Sequence, residues 1–481
     1  MLRILSLLIL GSAILARDLA TCTNRTRLCN GDYFCDNVCN IGAVVPDTHS
    51  DRALALQRML QFDERVARQT FIGSHNSAIS LAYGYGIEMD GFEKLLNTTL
   101  YDNDDLGEGV DQTFSVTDQL NLGLRHLEID ITAAYFELPP KLDDVYVCHS
   151  PVPLDPAILA RVEAAALEQH VKLGKWEPSK LSCLGTRVPL KTMLLEVHTW
   201  LDAHPNEFVV LYLDTKPLTM TGRSQANAMS AVLRDVFGTS MFAVGSDGGP
   251  SALLNETIRS LIAKGKRLYI EDHADHYNDA TDRIVYTPAV WSHQFGASSL
   301  APFPNCTIAG DGNWYTPLVG PAKPLARGLY SSGSTLSGDV AKHDASRAAA
   351  TTCGVNIVSP NYVQPRDMAA FVWTWDVSEP AKGGTCVVQR PNGRWAAVPC
   401  AQTAALPLAC RKAGDDRSWR IAPPAEAAES GCGSGGEWLA RPPTNGFANE
   451  LLRAAAAAGG VTTAIMLNVS VDGAAGSPRL P

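Results

Sequence analysis

The sequence predicts an α/β fold, a (β/α)8 TIM-type barrel with a disulfide-rich N-terminal segment and a Cys-rich insertion late in the barrel. Short apolar runs that end in a polar or ionisable residue recur along the chain, and most are followed by a stretch long enough for a helix. Such alternation, with continuous apolar strands, is typical of a parallel sheet covered on both faces. With 481 residues, 46% of them hydrophobic and 19% charged, the chain can bury a large core.

The first twenty residues are typical of a cleaved secretory signal peptide. Arg3 gives a charged start, and residues 4–15 form an apolar run that is too short to cross a bilayer comfortably. The 12 cysteines of an exported chain are expected to form mostly disulfides, and several Asn-X-Ser/Thr sequons agree with export. We therefore expect a secreted glycoprotein, outside the cell or in the endomembrane lumen.

The charge of the chain argues against one class of partner. A formal net charge of -10 does not suit nucleic acid, because phosphate binding needs clustered Lys and Arg. No second apolar span follows the signal segment, and the C-terminal residues 471–481 are polar and rich in Pro and Gly. We expect a monomer that is soluble or only peripherally associated with a membrane.

Residues 21–50 form the Cys-rich N-terminal segment. Four cysteines lie among Asn, Asp and Gly with little apolar content, so the segment cannot fold by burial alone: Cys22, Cys29, Cys35 and Cys39. Two disulfides are the expected support, and a zinc site is the alternative. The next stretch, 51–68, has the apolar spacing of an amphipathic helix that leads into the first barrel strand.

Eight apolar runs are predicted as the strands of a barrel that extends over residues 51–480. They are 71–72, 125–131, 145–149, 207–214, 267–272, 289–295, 355–359 and 370–375. A long stretch rich in Gly, Asn and Asp, 82–114, separates the first two strands. Because long loops often serve as lids or binding loops, we expect it to lie over the face at which the first strand ends.

The amino-acid composition changes after residue 375, and residues 380–440 are rich in Cys, Gly, Pro and Ala. The run 386–410 contains Gly393-Arg394-Trp395 between cysteines and resembles the closing hairpin of a C-type lectin domain. It covers only a small part of such a domain, so a disulfide-tied hairpin inserted late in the barrel is the prediction. Residues 447–458 are predicted as the last barrel helix and 463–469 as a terminal strand.

Polar residues at the ends of the predicted strands form one candidate site. In a parallel barrel these ends lie on one face, so residues distant in sequence converge there. They are His75 and Asn76, Glu128 and Asp130, His149, and Asp214. Carboxylate and amide oxygens are the ligands that Ca²⁺ prefers, and two histidines can serve an oxyanion and a leaving group. Salt bridges to Arg125 or Lys216 are the alternative explanation, which suits a single acid better than the whole set.

These motifs resemble the catalytic X region of phosphatidylinositol-specific phospholipase C over about residues 65–300. They are Gly73-Ser74-His75-Asn76-Ser77, the run from Gln119 to Asp130, Val147-Cys148-His149, and the run from Phe208 to Asp214. The resemblance implies that His149 is the general acid and that His75 stabilises the pentacoordinate phosphorus or acts as base. It also implies a Ca²⁺ site at Asn76, Glu128, Asp130 and Asp214, with Glu128 a second candidate base.

Two departures from the family accompany the match: Asp214 stands where the eukaryotic enzymes usually have Glu, and Ser150 follows His149 in place of Gly. We expect a Ca²⁺-assisted phosphodiesterase that cleaves phosphatidylinositol-type lipids or GPI-like phosphodiesters at a membrane surface, with a cyclic phosphodiester as first product. A glycerophosphodiester or sphingomyelin phosphodiesterase on the same barrel is one alternative. A non-catalytic secreted protein that binds carbohydrate or another partner is the other.

Overall fold

The computed structural model describes residues 21–87, 91, 95–97, 110–133, 145–149, 156–175, 188–215, 223–243, 246–272, 284–285, 291, 293–296, 300–308, 326–330, 340–381, 383–415, 417–433, 435–471 and 478–479. The predicted signal peptide, residues 1–20, lies outside these residues. None of the helices among them is long and apolar enough to span a membrane.

The strands of the described residues are β1 Arg25–Asn30, β2 Phe34–Cys39, β3 Phe71–Ser74, β4 His126–Ala133, β5 Val145–Val147, β6 Val188–Pro189, β7 Val209–Thr215, β8 Met241–Phe242, β9 Leu268–Asp272, β10 His293–Gly296, β11 Ala326–Tyr330, β12 Ile357–Pro360, β13 Cys386–Gln389, β14 Trp395–Val398, β15 Leu408–Lys412, β16 Trp419–Ala422, β17 Trp438–Leu439, β18 Ile465–Val471 and β19 Pro478–Arg479. The α-helices are α1 Thr48–Gln61, α2 Val116–Asn121, α3 Pro156–Glu168, α4 Leu190–Ala203, α5 Arg223–Phe237, α6 Gly249–Asn255, α7 Ile258–Ala263, α8 Val340–Thr352, α9 Pro424–Ser430 and α10 Gly446–Ala458.

The largest sheet is built on eight parallel strands in the order β10-β11-β12-β3-β4-β7-β9-β8, with β5 and β6 added antiparallel beside β4. The order places the first strand in sequence, β3, between β12 and β4. Within the described part of the chain, no pairing joins β8 to β10, the two ends of this path. The structure is therefore a mixed α/β fold with a long parallel sheet.

The two faces of this sheet bury different side chains because successive residues of a strand point to opposite faces. On β4, Leu127 and Ile129 belong to a cluster that includes side chains of α4 and α5. On the other face Phe71, Val210 and Ile357 belong to a second apolar cluster at the amino-terminal part of the strands. The polar residues that follow on this second face therefore stand above an apolar layer.

Two of the predicted barrel strands are wrong. Residues 145–147 form β5, which runs antiparallel to β4 with Ile131 opposite Val147. Residues 370–375 begin in a 3-10 helix, Pro365–Phe371, and continue to Trp373 and Trp375, which pack on Trp395. Both runs are apolar because they are buried, and burial alone does not distinguish these arrangements from a parallel strand. The parallel sheet instead includes β11 and the short strand β8, which the sequence analysis missed.

A second large sheet occupies the C-terminal part of the chain, in the order β14-β13-β18-β15-β16 with β17 and β19 at its margins. The predicted hairpin is confirmed as β13 and β14, and the disulfide Cys386–Cys400 ties it. The predicted terminal strand is β18, which lies in the middle of this sheet and not in the parallel one. Along β18 fully buried and more exposed residues alternate, which is typical of a strand with one covered face.

The N-terminal segment is a hairpin of β1 and β2 held by the disulfides Cys22–Cys39 and Cys29–Cys35. The prediction of two disulfides is confirmed here, and the zinc alternative is wrong because all four sulfurs are paired with each other. Further disulfides join Cys306 to Cys353 and Cys410 to Cys432. No cysteine of the described residues is free.

Candidate active site

The site begins in the turn that follows β3. Gly73 and Ser74 end the strand, and Asn76 adopts a left-handed backbone conformation, with φ 45°, that Asn tolerates better than most residues. The N–H of His75 donates to the carbonyl of Pro360 at the end of β12, 3.2 Å away. The N–H of Ser77 donates to the carbonyl of Glu128 on β4 at 2.7 Å. The turn is thereby fixed to both neighbouring strands.

A chain of hydrogen bonds runs from the His75 ring into the protein. Nδ1 of His75 lies 2.6 Å from Oδ1 of Asn361, the residue after β12. Nδ2 of Asn361 donates to Asp111 at 2.9 Å, and Nδ2 of Asn76 donates to the other oxygen of the same carboxylate at 2.8 Å. Asp111 and Asn361 are fully buried, while His75 is half-buried. The ring therefore rests on a rigid buried support.

This chain selects the tautomer of His75. Because the amide nitrogen of Asn361 donates to Asp111, its oxygen is the atom that faces His75. A carbonyl oxygen only accepts, so Nδ1 of His75 carries the proton. In the neutral ring, Nε2 is then the basic nitrogen.

Asp111 and Gln112 come from the end of the predicted excursion, residues 82–114. The side chain of Gln112 donates to the carbonyl of His75 at 2.7 Å and to that of Pro360 at 3.1 Å. The excursion therefore returns between the ends of β3 and β12. This stretch is predicted to lie over the face where His75 emerges, and its described end lies there.

The three predicted carboxylates lie on the adjacent strands β4 and β7. Asp130 is directly opposite Asp214, and Glu128 is opposite Tyr212. Tyr212 in turn is opposite Glu271 on β9, which makes a row of polar residues across three strands. Glu128, Asp130 and Glu271 are buried, while Asp214 is half-buried. Neighbouring strands are about 4.8 Å apart, so the acids of β4 and β7 form one acidic edge.

His149 reaches this edge by a different route from the one predicted. Since β5 runs antiparallel to β4, the chain after Val147 returns toward the middle of β4. The N–H of Cys148 donates to the carbonyl of Asp130 at 2.9 Å, so His149 follows directly beside the acid-bearing strand. The buried hydroxyl of Tyr85 donates to the carbonyl of Val147 at 2.8 Å.

Tyr85 also reports the electrostatics of this edge. Burial raises the pKa of its hydroxyl, and the negative charge of Asp130 raises it further. Tyr85 and Asp111 belong to the same excursion. The excursion therefore contacts both the His75 side and the His149 side of the site.

A buried histidine that sequence reasoning missed lies one layer below. His126 is fully buried, with its Nδ1 3.3 Å from the hydroxyl of Ser359. A Cβ on Gly73 would lie 2.8 Å from this Nδ1, so only glycine leaves room for the ring. Asn361 was missed as well, although it follows an apolar strand in the same way as His75. No local pattern indicates Asp111.

The predicted calcium ligands Glu128, Asp130 and Asp214 lie on the adjacent strands β4 and β7, and Asn76 lies in the turn after β3. Carboxylate and amide oxygens suit Ca²⁺ chemically. However, the part of the chain that the structure describes contains no group of three or more His, Cys, Asp or Glu side chains that could hold a metal ion. The amide nitrogen of Asn76 is engaged by Asp111.

Comparisons with known proteins give a distant likeness only. No family model matches the sequence. An uncharacterized protein of Mycobacterium tuberculosis is 25% identical over 393 residues, which are 77% of this chain and 70% of that protein.

Similar solved structures include a calcium-dependent phosphoinositol-specific phospholipase C from Pseudomonas sp., with 16% identity and a TM-score of 0.25 over 44% of this chain and 59% of that one. Phosphatidylinositol-specific phospholipase C from Listeria monocytogenes has 12% identity and a TM-score of 0.36 over 68% of this chain and 98% of that one. A mutant of the Staphylococcus aureus enzyme has 13% identity and a TM-score of 0.38 over 68% and 97%. The chain thus spans less than two thirds of the Pseudomonas enzyme. At these TM-scores the likenesses carry no argument about function.

Proposed function

We propose that this protein is a phosphodiesterase that cleaves phosphatidylinositol-type lipids or GPI-like phosphodiesters by acid and base chemistry of two histidines. The observation that carries the proposal is the chain from His75 through Asn361 to Asp111, which directs a basic nitrogen out of a rigid support. The sequence motifs around His75, Glu128 and His149, which resemble the X region of phosphatidylinositol-specific phospholipase C, support the same reaction.

In the proposed reaction, Nε2 of His75 takes the proton of a hydroxyl next to the phosphodiester, such as the inositol 2-hydroxyl. The oxygen attacks phosphorus and forms a cyclic phosphodiester, while the bond from phosphorus to the glycerol oxygen breaks. His149 gives that oxygen its proton, so diacylglycerol leaves as an alcohol. The hydrogen bond between Nδ1 and Asn361, whose amide donates to Asp111, keeps the ring of His75 oriented for this proton transfer.

The acidic edge of Glu128, Asp130 and Asp214 would accept hydrogen bonds from a hydroxyl-rich head group. We propose separately that Asn76, Glu128, Asp130 and Asp214 form a Ca²⁺ site. Its test is hydrolysis in excess chelator: undiminished activity would exclude a calcium requirement.

We propose that the parallel sheet, whose strands lie between Phe71 and Pro360, closes into a barrel, and that residues 1–20 are removed on export. The disulfides fit a protein of the extracellular space or an endomembrane lumen. Such a location would bring a monomer transiently to a lipid surface.

The deciding experiment is an assay of the purified protein on a panel of phospholipids, with and without Ca²⁺. Phosphatidylinositol should yield diacylglycerol and a cyclic inositol phosphate, identified by phosphorus NMR. Choline phosphate or ceramide cyclic phosphate as product would instead identify a sphingomyelin phosphodiesterase. If the protein hydrolysed neither these lipids nor glycerophosphodiesters, the proposal would be overturned.

A further inference from the structure

The disulfide-bonded hairpin of β1 and β2 packs against two separate parts of the molecule through two side chains of β2. Val38 is buried in a cluster that we call the rim cluster: Val38, Leu81, Ile87 and Val110, with Leu28 and Tyr362 packed against it. Phe34 is buried in another, the helix cluster: Phe34, Leu95, Val162 and Ala166, with neighbours that include Tyr33 and Val171.

The two clusters involve two loops at the same end of the parallel sheet: the rim cluster lies on the excursion, and the helix cluster combines Leu95 of the excursion with α3. Ile87 and Val110 lie in the excursion that leaves the carboxyl end of β3, and Leu81 directly precedes it. Val162 and Ala166 lie on α3, which follows β4, β5 and His149 in the chain. Since β3 and β4 are neighbours in the sheet, the hairpin connects the loops that follow two adjacent strands.

Polar contacts hold the hairpin in the same place. The N–H of Asp32, in the turn between β1 and β2, donates to the carbonyl of Leu173 beyond α3 at 3.2 Å. After β2, the N–H groups of Gly42 and Val44 donate to the carboxylate of Asp118 on α2, at 3.2 and 2.9 Å. The hairpin is therefore anchored at its tip and at its base.

The rim cluster is directly connected to the support of His75. The hydroxyl of Tyr362 donates to the carbonyl of Val110 at 2.6 Å, and the N–H of Tyr362 donates to the carbonyl of Asp111 at 2.7 Å. Val110 and Tyr362 are thus the chain neighbours of Asp111 and Asn361, the two residues that orient the ring. Val38 packs on this pair from outside.

We propose that the N-terminal hairpin is a positioning element of the active site, in which Val38 holds the Asp111–Asn361 support of His75 and Phe34 holds the loop that follows His149. The proposal rests on the proposed function for its catalytic consequence. A two-stranded hairpin is at best marginally stable by itself, and the disulfides Cys22–Cys39 and Cys29–Cys35 give it the rigidity that this role needs.

The test compares Val38→Ala with a matched control, Val387→Ala in the C-terminal sheet. Both valines are at least 97% buried, but Val387 is on β13 and belongs to a different cluster. Both variants should lose thermal stability. Only Val38→Ala should also lower kcat, by about 10- to 100-fold, with KM little changed, because misplacing a catalytic group costs this much. Should Val38→Ala fail to fold, Val38→Thr, which places a hydroxyl in the apolar rim cluster, is measured in the same way and with the same expectation.

A double variant separates positioning from stability. In the background Asn361→Ala, where the support is already cut, Val38→Ala should reduce kcat by less than about 3-fold while still lowering the melting temperature. Equal fold-losses of kcat in both backgrounds would overturn the proposal, as would a kcat of Val38→Ala that matches the control.

Nitrogen NMR of labelled histidine gives a readout that does not need substrate. In the native protein His75 should be a single tautomer protonated at Nδ1, and in Val38→Ala a mixture of tautomers, with the control variant unchanged. If the native protein hydrolyses no phosphodiester, the proposed function fails while this measurement still decides the role of the hairpin. A native tautomer in Val38→Ala would overturn it.

Discussion

The two ends of the strands β4 and β7 carry charges that are organised in opposite ways. At the amino-terminal ends, Arg125 and Glu207 form two hydrogen bonds of 2.9 Å, and Arg58 of α1 lies 3.5 Å from the same carboxylate. At the carboxyl ends, two acidic residues, Asp130 and Asp214, lie directly opposite each other on neighbouring strands. The first end pairs acidic with basic side chains, and the second places acidic side chains beside each other.

The pKa values at the amino-terminal end show how complete that pairing is. Burial raises the pKa of Glu207, but the charge of Arg125 and its hydrogen bonds outweigh burial and bring the pKa down to about 2. Burial, together with the charge of Arg125, lowers the pKa of Arg58 to about 10, which still leaves it protonated at neutral pH. Removing one partner of such a buried ion pair is costly, because the other charge is left buried and unpaired, whereas acidic side chains placed close together are typical of sites that act on a ligand.

The largest expected effect belongs to the carboxyl-terminal end. His149→Ala should lose about 10²- to 10⁴-fold in turnover, the usual contribution of a general acid. The melting temperature should change little, because no apolar core residue is removed. Steady-state kinetics on phosphatidylinositol checks this, and activity close to that of the native protein would contradict the assignment.

At the amino-terminal end, Glu207→Gln should leave Arg125 and Arg58 without their anionic partner. We expect a loss of about 3 kcal/mol in the free energy of unfolding, with kcat of the folded protein unchanged. Urea unfolding measures the loss. Asp235→Asn is the control, since its pair with Lys191 is more than half exposed on both sides and should contribute less than about 1 kcal/mol. Equal losses of unfolding free energy in Glu207→Gln and Asp235→Asn would show that the buried pair at the amino-terminal end contributes no more than an exposed one.

The same carboxylate should make the fold sensitive to acid. The folded pKa of Glu207 lies below its ordinary value of 4.5, so ionised Glu207 stabilises the fold fully above about pH 4.5 and this contribution is lost as the pH falls toward 2. Allowing for its partial exposure, the contribution is about 2–3 kcal/mol. The difference in unfolding free energy between the native protein and Glu207→Gln should therefore shrink over this interval. A constant difference would show that charge is not its cause.

A smaller effect is expected between the two ends, where Gly73 faces His126. Gly73→Ala should cost about 1–3 kcal/mol, because the new methyl group would overlap the ring and the backbone carbonyl of His126, each 2.8 Å away. Thermal unfolding measures the cost. Gly435→Ala, which meets no atom within 4 Å, should change stability by less than about 0.5 kcal/mol. If Gly73→Ala left the free energy of unfolding unchanged, the packing around His126 would be shown to adapt to the added methyl group.

The sequence predicts those parts of the fold and of the site that local pattern encodes. The strands β7 and β9 are apolar runs that lead to acids, and β4 alternates apolar residues with Glu128 and Asp130, so these strands and their acidic residues were predicted. Ala326–Tyr330 was missed because it contains Arg327 and Gly328 and lacks a continuous apolar run. Residues 145–147 were assigned to the wrong direction, since period and apolarity do not distinguish a parallel strand from an antiparallel one.

The support of His75 could not be predicted for a different reason. Asn361 and Asp111 meet only because the sheet order places β12 beside β3 and the excursion returns between them. A pairing across 250 residues leaves no mark on the local sequence. The roles of the six predicted site residues and the calcium requirement stay predictions.

The hydrogen bond between His75 and Asn361 joins residues that are 286 positions apart. During synthesis at about 5–20 residues per second, roughly 15 to 60 s pass between the appearance of the first and the second. Throughout that interval β3 lacks its neighbour β12, and the histidine ring lacks the oxygen that sets its tautomer. The buried support of His75 is therefore incomplete until three quarters of the chain has been made, and a fragment that ends before Asn361 cannot assemble this support.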